Sequence, residues 1–585
     1  MPERRRGPAV CRPRRRAHDD PWITLPPSMP GHHTERTPAA ARPPRPAPRA
    51  ATHAAAPLAV PTPLAGLAAL VAASVALIVY AWGAAPTVLP GDAAELATVA
   101  LRGGVPHTPG YPTFVLVGQL AGALLLGDPA HRITLLSAIM GAAAVGLFAL
   151  VLAEFGLAWS ALVAGGLALA GTFTLWWSAI RTEVYTLGLA LALLALWRVL
   201  VARRTLRPPD GLLAAFTIGL AMTVHLSFGA LLAVAGLALA ARARRAGALT
   251  PALVWGAAVA LVLGLTPYLY LPWADAHFTL TNHLRTAIEP AGGQYGLTPE
   301  RFDGVLERMA WLLAGPEARP RDLVRHVPTA FLNLGVAGAR FALFEVGPLA
   351  LLAAVLGAPR MLRRDPGAVA VLVAGGLLTP ALGALAVDGA LLNVFMLTST
   401  LAVAMLAAGT WDRFAAGGHE RRVLLAAAVL LTIGAPHELR VRADMGILPW
   451  ASWLHMPVEG PPPVRTLVPR FRGETRARVT GLAILEAIPE SSFVAARWDR
   501  VTVLKYLQSV EGRRPDLWLD PWYEPSHIVR IARWQREHRL ARRPVVVVDA
   551  IPGLTERLRA PRLRRILGGV TLHIERGFVD TTLVR

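Results

Sequence analysis

The uninterrupted apolar stretch GLLAAFTIGLAMTVHLSFGALLAVAGLALAA, residues 211–241, decides the fold class of this protein. It has no formal charge at neutral pH, and arginine clusters flank it at 203–207 and 242–245. A bilayer core of about 30 Å needs roughly 20 helical residues, so the stretch is long for one span and short for two. Because arginines beside apolar spans are retained on the cytoplasmic side, both clusters belong on one side. The stretch therefore predicts two short helices that turn near His225 on the opposite side.

Similar apolar segments continue along the chain from residue 64 to residue 435, and only 17% of the 585 residues are charged. A soluble protein of this size would carry far more surface charge. The predicted fold is therefore mainly α, a polytopic transmembrane helical bundle of about eleven spans. The spans are predicted at 64–82, 133–153, 155–180, 184–202, 211–241 (two helices), 251–272, 340–358, 367–387, 390–411 and 422–435.

The arginine rule also removes one apparent span. The basic tail, residues 1–57, predicts a cytoplasmic N-terminus, so the number of crossings before Arg203 must be even. Four full-length segments already satisfy that condition. The short apolar segment 113–126 is therefore predicted to lie at the membrane interface or to fold back as a re-entrant helix.

Three regions follow from this pattern. Residues 1–57 form a disordered basic tail, because they offer too little apolar surface to offset the entropy of ordering. Residues 58–435 form the membrane domain, with a first outer loop at 83–132 and a long outer loop at 273–339. Residues 436–585 form a soluble domain, which the odd number of spans places outside the cytoplasm.

The soluble region alternates strand-like and helix-like runs. Such alternation predicts a small α/β domain with a largely parallel sheet. PVVVVD, residues 544–549, reads as a strand buried on both faces. The other predicted strands are 492–496, 516–519 and terminal strands within 568–584, and the predicted helices are 501–509 and 526–539.

Composition and motifs exclude several classes of protein. The formal net charge is +21, but no basic module interleaved with aromatic residues accompanies it, so nucleic acid is not an expected partner. The single cysteine, Cys11, can form neither an internal disulfide nor a cysteine-based zinc site. The sequence has no P-loop, no GxGxxG after a strand, no HExxH and no GxSxG.

The first outer loop carries the strongest candidate for catalysis. Asp92 and Glu95 are spaced i, i+3, so on a helix both carboxylates face the same way. Such a pair suits general-base chemistry or cation binding beside a membrane. The alternative is purely structural, since Pro90-Gly91-Asp92 with Glu95 three residues later resembles a helix capping box.

Other polar residues of the outer face are weaker candidates. His107 and Tyr111 belong to HTPGYP, residues 107–112, which suits either a binding site or a rigid turn with an interfacial tyrosine. Arg102 is a candidate for phosphate contact. Glu183 and Tyr185 lie at a span boundary, where Arg181 and Glu183 could equally pair with each other.

His225 lies inside an apolar hairpin and needs a polar partner or water there. It could bond to a neighbouring helix or bind an anionic head group. The sequence leaves these two alternatives open.

Several of these motifs together resemble the protein O-mannosyltransferase-like membrane family, once known only as a domain of unknown function, of the glycosyltransferase C superfamily. The carboxylates and both histidines are retained, whereas Ala93, Ala94, Thr108 and Val224 stand where that family tends to have Ser, Gly, Pro and Asn. The matching segments are DAAEL (92–96), HTPGYP (107–112), GDPAHRITLLSAIMGA (127–142), EVY (183–185), GLAMTVHLSF (219–228), PYLYLP (267–272) and AIPESSFVAARWDRVTVLKYLQSVEGRRPDLWL (487–519).

The resemblance implies an inverting membrane glycosyltransferase that uses a polyprenyl-phosphate-linked sugar at the extracytoplasmic face of the cell membrane, with mannose as the sugar expected from the family. Asp92 is then expected to be the general base, supported by Glu95. His107 and His225, with Arg102, are expected to hold the donor phosphate, while Tyr111, Glu183 and Tyr185 line the same site.

A protein, lipid or glycan is the expected acceptor. No metal or other cofactor is required, because the lipid phosphate is already a competent leaving group, although a divalent cation is compatible with the residues. The alternatives are a transporter or flippase of lipid-linked sugars and a degenerate structural homologue. A transporter would place its ligand groups near the bilayer midplane, and a degenerate homologue would be expected to lose the carboxylates.

Overall fold

The computed structural model describes residues 64–124, 127–289, 302–314, 320–386, 392–444, 470–522, 527–539 and 542–582. All of them belong to one unit, which spans Pro57–Arg585. The predicted tail at 1–57 lies outside the described residues.

The membrane domain is built almost entirely of helices. Their bounds are α1 Ala65–Gly83, α2 Asp92–Arg102, α3 Pro112–Gly122, α4 Pro129–Ala153, α5 Trp159–Ala170, α6 Phe173–Ala179, α7 Tyr185–Thr205, α8 Pro208–Met222, α9 Gly229–Arg245, α10 Pro251–Gly264, α11 Tyr270–His277, α12 Val305–Ala314, α13 Pro320–Arg340, α14 Gly347–Arg364, α15 Pro366–Ala386, α16 Leu392–Phe395, α17 Leu397–Ala415 and α18 His419–Asp444.

Seven helical segments of the described chain are long and apolar enough to cross a membrane, and the number is nine if each of two bent pairs counts as one span. The bent pairs are α5 with α6, at 73°, and α10 with the helical segment 266–277, at 43°. The multi-pass helical architecture is therefore confirmed. The predicted count of eleven is larger partly because it includes α8, which has only 15 residues.

Two segments that the sequence singled out have the expected form. The helix α3 has 11 residues, which at 1.5 Å per residue reach only about half the thickness of a bilayer core. Residues 211–241 form two helices, α8 and α9, and His225 lies in the turn between them.

The long outer loop predicted at 273–339 contains substantial helices. The helix α12 lies within it and α13 ends one residue beyond it. The segment Val327–Glu345, which crosses the predicted end of the loop, is apolar and long enough to be a candidate span. Hydropathy did not detect this segment as a span, because it placed the span at 340–358. At the other boundary, α18 continues to Asp444, beyond the predicted end of the membrane domain at 435.

The arginine clusters that fixed the predicted topology meet at one end of the helical bundle. Arg203 pairs with Asp365 (Nη1 to Oδ2, 3.3 Å), and Arg242 Nε donates to the carbonyl oxygen of Arg203 at 3.0 Å. Arg364 from the third cluster donates to the carbonyl oxygen of Phe155 at 3.0 Å. The prediction that the three clusters share one side of the membrane is consistent with this arrangement.

The C-terminal domain is a small α/β unit. Its five-stranded sheet has the order β2-β1-β3-β5-β4, in which β1 pairs in parallel with β2 and β3, while β5 pairs antiparallel with β3 and β4. The sheet is therefore mixed rather than largely parallel. Its elements are α19 Arg476–Ala487, β1 Phe493–Ala496, α20 Trp498–Ser509, β2 Trp518–Pro521, α21 Ile528–Glu537, β3 Val545–Val548, β4 Arg562–Arg565 and β5 Thr571–Glu575.

The central strand β3 is fully buried, as its four consecutive valines predicted. One of its faces belongs to a core with residues of α19 and α20, which also contacts Ala94 and Ala97 of α2. The C-terminal domain and the first outer loop therefore share a hydrophobic core. This contact determines which side chains of the two regions meet.

Candidate active site

The helix α2 carries both candidate carboxylates, but they do not form the capping box that the sequence allowed. Gly91, at φ 73°, is the N-cap residue, so Asp92 is the first helical residue and no side chain caps this end. The left-handed backbone at this position favours glycine. Glu95 accepts hydrogen bonds from His107 instead of turning back to the cap. Both carboxylates are therefore available to partners outside their own helix.

A tight turn brings His107 onto Glu95. The His107 backbone N–H donates to Glu95 Oε1 at 3.1 Å, and His107 Nδ1 forms a short hydrogen bond with Glu95 Oε2. The turn continues through Gly110, at φ 90°, where a Cβ would come within 3.0 Å of Leu271 and Leu312. HTPGYP is thus both a rigid turn and the element that positions the histidine.

The ionisation of this pair follows from its contacts. Burial opposes the charge on Glu95, but the charge and hydrogen bond of His107, together with His283, outweigh it and lower the pKa of Glu95. Burial also opposes the charge on His107, but Asp92 and Glu95 outweigh it and raise the pKa of His107. The pair is therefore a carboxylate and an imidazolium at neutral pH.

Asp92 lies next to this pair and remains accessible. Its Oδ2 is 3.9 Å from His107 Nε2, and its side chain is 31% exposed, against 12% for Glu95. One carboxylate is thus enclosed and paired, while the other is partly exposed beside an imidazolium. Two carboxylates that differ in this way can take different chemical roles.

Two further residues join the site that the sequence did not single out. His283 Nδ1 lies 3.2 Å from Glu95 Oε1, and Trp498 Nε1 donates to Asp92 Oδ1 at 2.6 Å. His283 is held there because its backbone N–H donates to the carbonyl oxygen of Val105 at 2.8 Å. We call Asp92, Glu95, His107, His283 and Trp498 the acid–histidine cluster.

A second group of predicted residues packs against this cluster. The Tyr111 ring lies edge-on to His107, with centroids 5.1 Å apart, and stacks on His225 at 5.6 Å. Tyr185 lies on His225 as well, at 5.2 Å. The charge of Glu183 acts on His107, which places it in the same electrostatic neighbourhood. Seven of the eight predicted residues are therefore brought together.

The structure shows a partner for His225 and for Glu183. For His225 this partner lies in its own turn, which neither alternative from the sequence named. His225 Nδ1 accepts a hydrogen bond from the backbone N–H of Ser227 at 3.0 Å, so the imidazole caps its own turn. Glu183 pairs with Arg181, whose Nη2 is 3.1 Å from Glu183 Oε1. Both residues have a structural partner while they border the site.

Arg102 is the exception among the predicted residues. It lies at the opposite end of α2 from Asp92, and its guanidinium donates to the carbonyl oxygens of Ser509 (2.7 Å) and Val510 (3.2 Å). These bonds tie α2 to the end of α20. The phosphate contact expected for Arg102 stays a prediction, and the observed contact is one between domains.

Comparison with known proteins supports the family resemblance over the part of the chain that holds these residues. Residues 92–248 match the N-terminal domain of protein O-mannosyl-transferase TMEM260. The resemblance is thus confirmed for this region. All eight predicted site residues lie within it, whereas His283 and Trp498 lie beyond it.

A curated relative leads to the same family. The protein O-mannosyl-transferase TMEM260 of Mus musculus is 35% identical over 199 residues, which are 32% of this chain and 28% of the relative. The match therefore covers just over a quarter of the relative's length.

Two solved structures align with most of the chain. ArnT from Cupriavidus metallidurans bound to undecaprenyl phosphate is 13% identical, with a TM-score of 0.37, and apo ArnT is 16% identical, with a TM-score of 0.35. Each alignment covers 86% of this chain and 97% of the other.

The acid–histidine cluster also has the donor set of a cation site. Asp92, Glu95 and His107 each offer a ligand atom, and these atoms all lie within 4.8 Å of one another. Carboxylate oxygens with one imidazole nitrogen suit Zn²⁺ or Mn²⁺. In the present geometry, however, the imidazole bonds to the Glu95 carboxylate, so a cation would have to replace that bond.

Proposed function

We propose that this protein transfers a sugar from a polyprenyl-phosphate donor to a hydroxyl group of a protein, lipid or glycan acceptor at the extracytoplasmic face of the membrane. The observation that carries the proposal is the arrangement at α2, where an accessible Asp92 carboxylate lies beside the buried Glu95–His107 pair. The name of the mouse relative makes mannose the first sugar to test.

Asp92 is the proposed general base. Its Oδ2 removes the proton of the acceptor hydroxyl while the acceptor oxygen attacks the anomeric carbon. The bond from that carbon to the phosphate oxygen breaks, and the electron pair leaves with the polyprenyl phosphate. Attack opposite to the leaving group inverts the configuration at the anomeric carbon.

The Glu95–His107 pair serves the leaving group in this proposal. Because Glu95 and Asp92 raise the pKa of His107, the ring remains an imidazolium and offers positive charge to the departing phosphate. Glu95 fixes the position of His107 through two hydrogen bonds. Tyr111, Tyr185 and His225 would form an aromatic wall next to this position.

The transporter alternative predicts a different placement of polar groups. Transporters hold their substrates near the bilayer midplane on broken helices. Asp92, Glu95 and His107 instead lie on a short helix and a turn that connect α1 to α3. This location favours chemistry at the membrane surface over transport through the bilayer.

The decisive experiment uses purified full-length protein, polyprenyl-phosphate mannose labelled in the sugar, and protein or membrane acceptors. Wild type is expected to attach the label covalently to the acceptor. Asp92→Asn is expected to lose transfer by about 10²- to 10⁴-fold, the usual contribution of a general base. Asp365→Asn, at the opposite end of the bundle, is the control. Undiminished transfer by Asp92→Asn would reject the mechanism.

The same assay tests the alternatives. In liposomes, movement of the labelled lipid between leaflets without covalent labelling of any acceptor would indicate a transporter. Chelation with EDTA tests the cofactor proposal, in which no metal is required. Loss of transfer on chelation and its recovery with one divalent cation would assign a metal to Asp92, Glu95 and His107.

The proposed orientation has its own test. Leu124, near the end of the first outer loop, is 57% exposed, so Leu124→Cys should react with a membrane-impermeant maleimide from outside intact cells. The native Cys11 in the basic tail should react only after permeabilisation. The reverse pattern would place α2 and the C-terminal domain in the cytoplasm.

A further inference from the structure

The helix α20 brings the soluble C-terminal domain to the candidate active site. This helix lies along α2, with the two N-terminal ends together. At this end Trp498 Nε1 donates to Asp92 Oδ1 at 2.6 Å, and at the other end Arg102 donates to the carbonyl oxygens of Ser509 and Val510. A cation at the C-terminal end of a helix also interacts favourably with the helix dipole. The two helices are thus fastened at both ends.

The indole contact gives the two oxygens of the Asp92 carboxylate different surroundings. Oδ1 accepts the indole N–H, while Oδ2 faces His107 Nε2 at 3.9 Å. The indole N–H is a donor that neither accepts nor exchanges a proton during catalysis. It can therefore hold one oxygen in place and leave the other free to receive a proton.

The indole contact matters because Asp92 makes no capping hydrogen bond that would hold its side chain against α2. Asp92 is the first residue of the helix and does not cap it. A carboxylate at the first position of a helix can rotate toward backbone N–H groups of the first turn. The indole competes with that rotation and directs the carboxylate away from its own helix.

The Trp498 ring is itself supported within the acid–histidine cluster. It meets the His283 ring edge-on, with centroids 5.7 Å apart and planes at 88°. His283 in turn contacts Glu95 through Nδ1. Trp498 therefore contacts both Asp92, the proposed base, and His283, which lies beside Glu95.

We propose that Trp498 is a positioning residue for Asp92, so that docking of the C-terminal domain sets the reactive orientation of the base. This inference rests on the proposed function in one respect, because sugar transfer is the reaction that Trp498 would assist. It gives the soluble domain a role in catalysis itself, because α20 supplies the hydrogen bond that holds Asp92 Oδ1. A reacting group displaced by about 1 Å can lose about 10²-fold in rate.

The test compares Trp498→Phe with Tyr506→Phe in the full-length protein. Trp498→Phe keeps a large ring and removes the donor. Tyr506 is on the same helix and its hydroxyl accepts the backbone N–H of Ala130 at 3.1 Å, so Tyr506→Phe removes an interface hydrogen bond without touching Asp92. We expect Trp498→Phe to lower kcat about 10- to 100-fold with KM within about 3-fold. Tyr506→Phe should keep kcat within about 3-fold of wild type.

A second measurement does not need sugar transfer. Melting temperatures are compared for wild type, Asp92→Ala, which removes the acceptor oxygen, Trp498→Phe and the double variant. If the indole and the carboxylate act together, the loss in the double variant is smaller than the sum of the two single losses. Should Trp498→Phe fail to yield folded protein, Trp498→Tyr, which keeps a large ring but moves the donor, enters both measurements in its place.

The outcomes separate the inference from the proposed function. Equal kcat for Trp498→Phe and Tyr506→Phe, or additive melting losses, overturns the role of Trp498 while the function stands on wild-type transfer. Non-additive losses in a protein that transfers no sugar support the positioning contact and reject the transferase function. A selective kcat loss with non-additive melting supports both.

Discussion

Asp92 and Asp412 are carboxylates near opposite ends of the membrane domain, and their surroundings differ in kind. Asp412 is 2% exposed, and its oxygens accept from Arg360 Nε (2.6 Å), Arg364 Nη2 (3.1 Å) and the backbone N–H of Ala158 (2.7 Å). Asp92 accepts one indole N–H and keeps its second oxygen beside an imidazole, with 31% of its side chain exposed.

The difference in surroundings is the reason that the proposed mechanism gives these two acids different roles. Guanidinium groups remain charged at any working pH, so Asp412 is permanently neutralised and its contacts join α14, α17 and the segment before α5. Asp92 has only a neutral donor and a titratable neighbour. The proposed mechanism therefore assigns the role of general base to Asp92 and not to Asp412.

The largest expected effect breaks this comparison directly. Asp92→Asn should reduce sugar transfer about 10²- to 10⁴-fold with little change in melting temperature. Asp412→Asn should keep the turnover number but lower the melting temperature, because two arginines then lose their charged partner. Both quantities are measured on the same detergent-purified samples. Comparable loss of turnover in both variants would show that the two acids do not differ as proposed.

Glu95→Gln should have the next largest effect, a loss of about 10- to 100-fold in kcat, since His107 loses its fixing partner. The direction in which kcat of this variant changes with pH follows from the shift in the pKa of His107. Glu95 and Asp92 raise the pKa of His107, so the imidazolium persists below that raised value and is lost above it. Removing the Glu95 charge lowers the pKa of His107, and the alkaline limb of the rate profile should move to lower pH.

The measurement for Glu95→Gln is kcat between about pH 5.5 and 11, because the pKa of His107 is raised to about 10 in the wild type. Asp128→Asn in the same outer loop is the control, because Asp128 caps α4 through the backbone N–H groups of Ala130 and His131. An unmoved alkaline limb in Glu95→Gln would argue that His107 is not the group whose charge the reaction needs.

His225→Ala should have a smaller effect, because its ring supports the aromatic wall while its Nδ1 caps a turn. We expect KM for the lipid donor to rise about 3- to 10-fold with kcat nearly unchanged, together with a modest loss of stability, on the scale of a helix cap. Steady-state kinetics and thermal melting measure the two effects. A collapse of kcat with normal KM would instead place His225 at the reacting atoms.

Arg102→Gln should have the smallest effect on turnover. It tests whether Arg102 contacts phosphate, as the sequence predicts, or only joins two domains, as its hydrogen bonds indicate. Its contacts to Ser509 and Val510 predict a lower melting temperature, with kcat and KM within about 3-fold of wild type. Donor titration and melting of the same variant decide the point. A donor KM raised more than about tenfold at unchanged stability would restore the phosphate contact expected from the sequence.

Much of the fold was accessible from local pattern. The apolar runs located most of the helices, and the three arginine clusters indicated the end at which they meet. The segment 113–126 was correctly denied a full span, since α3 has only 11 residues. The helices in 273–339 were not predicted from the sequence, because α12 and α13 carry charged residues as well as apolar ones and mean hydropathy averages the two.

The sequence by itself determined the carboxylates and histidine of the first outer loop, because Asp92, Glu95 and His107 lie within sixteen residues and a helix followed by a turn suffices to bring them together. It also determined the burial of β3 through four consecutive valines. Only the tertiary structure decided that His283 and Trp498 complete the cluster and that Arg102 joins two domains. Those contacts depend on how a shared core between α2 and the C-terminal domain sets one helix against another, and neither hydropathy nor residue spacing records a contact across some four hundred residues of chain.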